Sequence, residues 1–169
     1  MNIRVANLAD ARAVAEVHVS SWQDAYQGLI PDSYLARLSV DKRESAWRES
    51  IASGTPELWV AEEHCGVVGW VAFCPSRDQD APRTTGEVGA LYVLSSHWRQ
   101  GIGRALWLTA RRRLIERLFS RVTLWVLAEN ERAIRFYTGV GFLPDAGATR
   151  VSERDGKQMT EVRYEAALG

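Results

Sequence analysis

The sequence predicts a single α/β or α+β layer domain over residues 1–169, with helices packed on one mixed sheet. Three observations carry that expectation. Apolar residues recur at helical spacing in several separate stretches. Short β-rich runs, bounded by Gly, Asp and Pro, come in hairpin-like pairs. One strand–helix–strand unit, from Glu87 to Leu127, has the length of a right-handed parallel crossover.

In chain order, Ile3 to Ala6 reads as a short strand. Asn7 and Asp10 offer capping oxygens to a helix whose inner residues are Ala13, Val14, Val17 and Ser21, running to about Tyr26 and stopping at Gly28. Pro31-Asp32 starts a second helix through Leu38. Asp41 is the expected cap of a third, with Trp47 and Ile51 on its inner face. Leu58 to Glu62 and Val67 to Phe73 form a hairpin around His64-Cys65-Gly66. Pro75 to Thr85 is a polar loop. Glu87 to Leu94 is the next strand, and Gly89 inside it marks a bulge. Ile102 to Phe119 is a long helix with Ile102, Leu106, Ala110, Leu114 and Leu118 on one face. Val122 to Leu127 is apolar on both sides, as a central strand is. Asn130 to Thr138 is a helix. Two strands around Ala148 to Ser152 and Met159 to Glu165 close the chain on an Asp155-Gly156 turn.

Composition excludes more than it identifies. Lysine plus arginine equals aspartate plus glutamate, at 21 each, so no basic surface points to nucleic acid. The start Met1-Asn2-Ile3-Arg4-Val5 lacks the pattern of a signal peptide, and no run is long and apolar enough for a membrane span, so a cytoplasmic protein with no membrane partner is expected. Cys65 and Cys74 fall at opposite ends of one hairpin strand, too far apart to bridge, and read as free buried thiols. No C-x-x-C or clustered His and Cys appears, so no metal site is expected.

Two segments carry chemistry. The first is Trp98-Arg99-Gln100-Gly101-Ile102-Gly103-Arg104, between a strand and a helix. The first amides of a helix lack internal partners and sit at the positive end of its dipole. Gly101 and Gly103 remove side chains that would block a phosphate, so the loop reads as a pyrophosphate cradle. Its plainer reading is a loop with two glycines. A dinucleotide fingerprint would need a third glycine where Leu106 stands, and a P-loop would end in Gly-Lys-Ser/Thr, absent here. The second segment is Asn130-Glu131-Arg132-Ala133-Ile134-Arg135-Phe136-Tyr137, followed by Gly141-Phe142. It places an amide and a phenol on one helix face, two turns apart. Read alone, it is also an ordinary capped helix with a core tyrosine.

Together, in this order and with one strand between them, the two segments make the chain similar to the GNAT acyltransferase superfamily over Glu87 to Phe142. That family's loop pattern is Gln/Arg-x-x-Gly-x-Gly/Ala, from which Trp98 departs at the first position. Its later pattern, Asn-x-x-Ala-x-x-Phe-Tyr with Gly-Phe following, matches Asn130, Ala133, Phe136, Tyr137, Gly141 and Phe142. The resemblance implies a largely antiparallel central sheet with helices on both faces and two splayed central parallel strands. It implies acetyl-CoA as acyl donor and no metal. Backbone groups of the Leu91-Tyr92-Val93 stretch would pair with the pantetheine arm, amides of Arg99, Gln100, Gly101, Ile102, Gly103, Arg104 and Ala105 would hold the pyrophosphate, and Asn130 and Ala133 would contact the pantetheine side. Arg132 and Arg135 are candidates for the nucleotide end, or a solvated helix face.

The implied reaction is direct acetyl transfer to a primary amine of a small molecule or peptide. Such an amine is protonated at neutral pH and must lose a proton before it attacks. Glu87, placed by strand alternation on the pleat face of Leu91 and Val93, is the candidate base, and Tyr137 the candidate acid for the departing thiolate. A free amide near Gly89 to Val93 would serve the carbonyl oxygen. His18, Trp22 and Tyr26 form a stripe that reads as core, while the resemblance puts this helix over the acceptor, making Trp22 and Tyr26 pocket walls. Asp24 or Glu87 would favour a cationic amine. Trp59, Trp70 and Trp125 read as core. Relatives are often dimers, so a homodimer is implied too. Two readings of other classes stand beside this one: a non-catalytic acyl-CoA sensor on the same fold, and an interaction domain with no cofactor.

Overall fold

A computed structural model describes residues 1–169. Its strands are β1 (Asn2–Val5), β2 (Glu57–Glu63), β3 (Gly66–Pro75), β4 (Thr85–Val93), β5 (Arg121–Leu127), β6 (Leu143–Arg154) and β7 (Lys157–Ala167). Its helices are α1 (Ala11–Ala25), α2 (Asp32–Ala36), α3 (Val40–Ser53), α4 (Ile102–Glu116) and α5 (Glu131–Gly139). The strands form one sheet in the order β1-β2-β3-β4-β5-β7-β6. Every neighbouring pair is antiparallel except β4 and β5.

The two faces of the sheet are covered by different helices. On one, Leu106, Ala110 and Leu114 of α4 and Ile134 and Phe136 of α5 meet Val71, Phe73, Val88, Val93, Val122 and Leu124. On the other, Val14 and Val17 of α1 meet Leu58, Val60, Trp70 and Ala72, with Trp47 and Ile51 of α3 packed outside them. Trp70 is fully buried, and its indole N–H donates to the Val14 carbonyl at 3.1 Å, which fixes the height of α1 over β3. Each buried Val or Leu side chain contributes about 1.5–3 kcal/mol, so both helices are held mainly by these stripes.

The expected elements are all present, with several boundaries corrected. The long helix stops at Glu116 and does not reach Phe119. Leu118 turns left-handed at φ +64° and is 85% exposed, which brings Phe119 back to bond the Leu114 carbonyl. Ser39, not Asp41, caps α3, accepting from the Lys42 amide. Asp10 caps nothing at α1; its carboxylate accepts from Arg4 at 2.7 and 2.9 Å and from the Asn7 amide at 2.8 Å. Cys74 is a buried thiol, but Cys65 sits exposed on its turn. The closing strands are longer than expected, and their Asp155-Gly156 turn has φ of +49° and +79°, as a two-residue hairpin with the sheet's twist requires.

That hairpin tip is tied across the molecule. Asp155 accepts from Ser33 Oγ and from Arg37, each at 2.6 Å, and Lys157 Nζ donates to the Leu29 carbonyl at 2.8 Å. The far edge of the sheet is thereby clasped to α2 and to the loop after α1. No helix is long and apolar enough to cross a membrane.

Phe142, fully buried, packs its ring 4.8 Å from Trp107 and 5.7 Å from Tyr137. Phe142→Ala is predicted to cost about 3–5 kcal/mol in denaturant titration, the usual cost of emptying a core phenylalanine site.

Candidate active site

The β4–β5 ladder is only three residues long: Thr85, Gly86 and Glu87 face Arg121, Val122 and Thr123. Beyond it the strands part, and a cavity of about 680 Å³ opens between them. Val88 to Val93 line one wall, Trp125 to Leu127 the other, and α5 and the start of α4 close the side. The backbone facing this gap follows from the ladder. The Leu94 amide bonds the Val68 carbonyl at 2.9 Å, so alternate residues Tyr92 and Ala90 pair with β3, and Leu91 and Val93 point their backbone groups into the gap. Tyr92 therefore contributes its ring to the wall, and not its backbone to a bound chain.

Two hydrogen bonds qualify the expected pairing with a pantetheine arm. The Val93 carbonyl already accepts from the Trp98 indole N–H at 2.8 Å and from Ser21 Oγ at 3.3 Å. Leu91 and the Val93 amide remain free to pair. Trp98, the residue that departs from the family's loop pattern, thus anchors the strand end, and the Arg132 guanidinium stacks 3.6 Å above its ring.

At the start of α4 the amides of Gly101, Ile102, Gly103 and Arg104 find no acceptor in the chain, backbone or side chain. The Ala105 amide bonds the Gly101 carbonyl at 3.0 Å, so Ala105 drops out of the expected cradle. The two glycines have reasons other than the one inferred from sequence. A Cβ on Gly101 would meet nothing, but its φ of +85° is left-handed. A Cβ on Gly103 would lie 3.3 Å from the Phe136 ring, so this glycine lets α4 and α5 approach. Arg99, also left-handed at φ +63°, and Arg104 face the cavity beside these amides. Gln100 turns away, its side-chain amide donating to the Ser96 carbonyl at 3.1 Å. Bare amides, a helix dipole and two arginines fit a pyrophosphate.

Asn130 caps α5, its Oδ1 accepting from the Ala133 amide at 3.1 Å, while its Nδ2 makes no bond within the chain and the residue borders the cavity with Ala133. Seven residues on, Tyr137 presents its hydroxyl to the same cavity, its ring held edge-on by Phe136 and Phe142. Burial, and then the nearby Tyr26, raise the Tyr137 pKa above the usual phenol value, so the group stays a proton donor across the neutral range.

Glu87 is not where sequence alternation placed it. Gly89 is the extra residue of a bulge, with Val88 opposite Phe73 and Ala90 opposite Ala72. The bulge reverses the pleat, so Glu87 shares a face with Ala90 and Tyr92 and not with Leu91 and Val93. Its side chain is 5% exposed and paired with Arg77 at 2.5 Å, and it does not border the cavity. Burial opposes its ionisation, yet the side-chain and backbone hydrogen bonds from Arg77 prevail and hold its pKa below the ordinary carboxylate value. The pair therefore supports the fold above that ordinary value, and the support fades as pH falls through the lowered one.

On the acceptor side Tyr26 borders the cavity, its hydroxyl 3.4 Å from that of Tyr92. Trp22 does not. It lies behind Tyr26, edge to face at 5.0 Å, with Arg43 over its ring. Asp24 faces outward and accepts from Ser95. His18 is enclosed by Trp22, Trp47, Trp70 and Tyr92, and burial drops its pKa to about 3, which keeps it neutral. Two wall residues were missed from sequence. Trp125, read as core, borders the cavity, and so does Glu161, the only carboxylate that does. No sequence motif marks Glu161; its direct register opposite Leu127 puts it there.

Comparison with known proteins decides the family. The model of the Acetyltransferase (GNAT) family matches residues 20–142. The chain belongs to the GNAT acetyltransferase family. It is 33% identical over 163 residues to the uncharacterized N-acetyltransferase YuaI of Bacillus subtilis, covering 96% of this chain and 90% of that one. Among solved structures it superposes on yncA from Salmonella typhimurium, determined with its cofactor acetyl-CoA, with a TM-score of 0.77 at 24% identity, covering 100% of this chain and 94% of that one. The paia N-acetyltransferase of Thermoplasma acidophilum, in complex with coenzyme A, matches with a TM-score of 0.75 at 19% identity over 99% of both chains. The GNAT fold expected from sequence, with its antiparallel sheet, one parallel pair and helices on both faces, is the fold observed. The protein is an acyltransferase, and acetyl-CoA is its acyl donor.

Gly101→Ala is predicted to destabilise the fold by about 1–2 kcal/mol through left-handed strain. Calorimetric titration with acetyl-CoA is expected to show weakened binding as well, because the strained turn displaces the bare amides.

Proposed function

We propose that this GNAT protein moves an acetyl group from acetyl-CoA directly to a primary amine of a small molecule or peptide. The observation that carries the reading is one continuous cavity. It reaches from the bare amides of α4, past the Tyr137 hydroxyl, to the acceptor wall of Tyr26, Trp125 and Glu161. Donor and acceptor meet in it without a covalent enzyme intermediate, and no cysteine borders it.

In this reading the amides of Gly101 to Arg104, with Arg99, hold the pyrophosphate, and Leu91, the Val93 amide and Asn130 Nδ2 hold the pantetheine arm. Bound there, acetyl-CoA supplies an activated acetyl thioester. Tyr137 carries the proton that the leaving sulfur takes up, and its raised pKa keeps that proton in place. Gly89, outside the ladder register, leaves backbone groups at the gap for the carbonyl oxygen. Glu87, kept ionised by Arg77 behind the bulge, accepts the amine's proton through water rather than by contact. A homodimer belongs to the same proposal.

Retention of a half-buried, ring-clamped phenol on the cavity wall favours catalysis over a sensor role. Tyr137→Phe is expected to lower kcat by about 10²- to 10⁴-fold. The KM for acetyl-CoA should stay near its original value, because the cradle is untouched. A thiol-release assay over amines, amino acids and peptides checks both numbers, and an unchanged kcat removes Tyr137 from the reaction.

The pH dependence has a worked sign. Arg77 holds Glu87 ionised down to below the usual ~4.5, so kcat/KM should show no acid break from Glu87 above about pH 5. It should instead rise with pH as the acceptor amine, near pKa ~10, loses its proton. Tyr137, raised above the usual phenol value, should cause no alkaline fall below about pH 10. A pH–rate profile of Glu87→Gln beside the parent chain separates these contributions, and the variant is expected to lose rate at every pH.

A further inference from the structure

The cavity has one carboxylate on its wall, Glu161. It is not vacant. Arg150, its direct cross-strand neighbour on β6, donates to it from Nε at 2.7 Å and from Nη2 at 3.3 Å. The same guanidinium lies 4.4 Å from the centre of the Trp125 ring, which also borders the cavity. A carboxylate beside an aromatic face is a cation site, and here a side chain of the protein fills it. Arg150 is about half exposed, at 49%, so it can leave at little cost, while Glu161 is 20% exposed and fixed in the middle of β7. The other cations on this face are bound by carboxylates of their own, although the Arg163 guanidinium also lies 5.5 Å from the centre of the Trp125 ring. Arg163 is shared by Asp78, Asp80 and Asp145, and Arg77 is bound by Glu87.

The position of Glu161 says which part of an acceptor it serves. It stands on β7, one strand beyond Leu127 of β5 and so one strand spacing away from the gap where the thioester lies. A carboxylate on the reacting nitrogen would also hold it protonated and oppose attack. A cationic group further along the acceptor meets neither objection. Resting on the acetyltransferase reading above, we propose that the acceptor carries a second positive charge besides the reacting amine, that Glu161 with Trp125 binds this charge, and that Arg150 is a built-in competitor which the acceptor displaces.

The two members of this ion pair then have opposite effects, which a merely structural pair cannot produce. The test is calorimetric binding to the protein loaded with CoA, using 1,4-diaminobutane as the dication and n-butylamine as the singly charged control. The parent chain should bind the diamine more tightly than the monoamine. E161Q should weaken diamine binding about tenfold or more, the size of a lost bond to a charged group, and leave the monoamine unchanged. R150Q should tighten diamine binding severalfold. Equal binding of the two amines by the parent chain, equal loss of both in E161Q, or weaker or unchanged diamine binding in R150Q overturns the proposal. The CoA-induced rise in melting temperature reports that each variant is folded, and if E161Q loses it, the direction of R150Q decides alone. Because the readout is binding, a diamine that binds as described without releasing thiol from acetyl-CoA would overturn the acetyl-transfer reading and leave the cation site standing.

Discussion

Two neighbouring strands that pair over three residues and then separate are the constraint on which the rest of this molecule depends. A parallel ladder that short leaves peptide groups on both flanks without partners, and buried peptide groups need them. On the β4 side Leu91 and Val93 face the gap; on the β5 side α5 and its cap turn the chain away. The sheet stays intact because each strand is held from behind, β4 by β3 and β5 by β7. The opening is thus a permanent feature of the architecture, with one flank of β4 left unpaired along Leu91 and Val93.

The bulge at Gly89 turns that opening into a site with two sides. One extra residue reverses which face each side chain of β4 takes. Val88, Leu91 and Val93 go to the α4 side, where they join the core under the donor cradle. Ala90 and Tyr92 go to the α1 side and, with Trp125 and Glu161, build the opposite wall of the cavity. Tyr137 reaches the cavity from α5, its orientation set by Phe136 and Phe142. Electrostatics follows the same division: the α4 end of the cavity offers bare amides and unpaired arginines, and the β7 end is a mosaic of paired charges.

Local signals were legible in the sequence wherever the physics is local. The helix stripe Leu106, Ala110, Leu114, the Asn130 cap and the Asp155-Gly156 turn are each fixed by neighbours in the chain. The bare amides at the start of α4 were legible for the same reason, since a loop entering a helix leaves its own first amides available. Failures came where a partner distant in sequence decides. Glu87 was assigned the wrong pleat because strand alternation does not count a bulge that Phe73 and Ala72 enforce from β3. Ala105 was included one residue too far, since its amide is the first of the helix to find an internal partner, the Gly101 carbonyl. Gly103 was given a ligand's reason when the Phe136 ring supplies it. Trp125 and Glu161 looked like ordinary strand residues, because only the parting of β4 from β5 makes them a wall.

The clasp of Asp155 onto Ser33 and Arg37 joins the last hairpin to the first helices. The stretch matched to the family ends at residue 142, and the donor cradle lies inside it. The opposite wall of the cavity draws Tyr26 and Trp125 from inside that stretch but Glu161 from the last hairpin, beyond it. One wall residue is therefore written in text separable from the rest. A hairpin transplanted from a relative would redraw the clientele of the enzyme while its currency stayed the same.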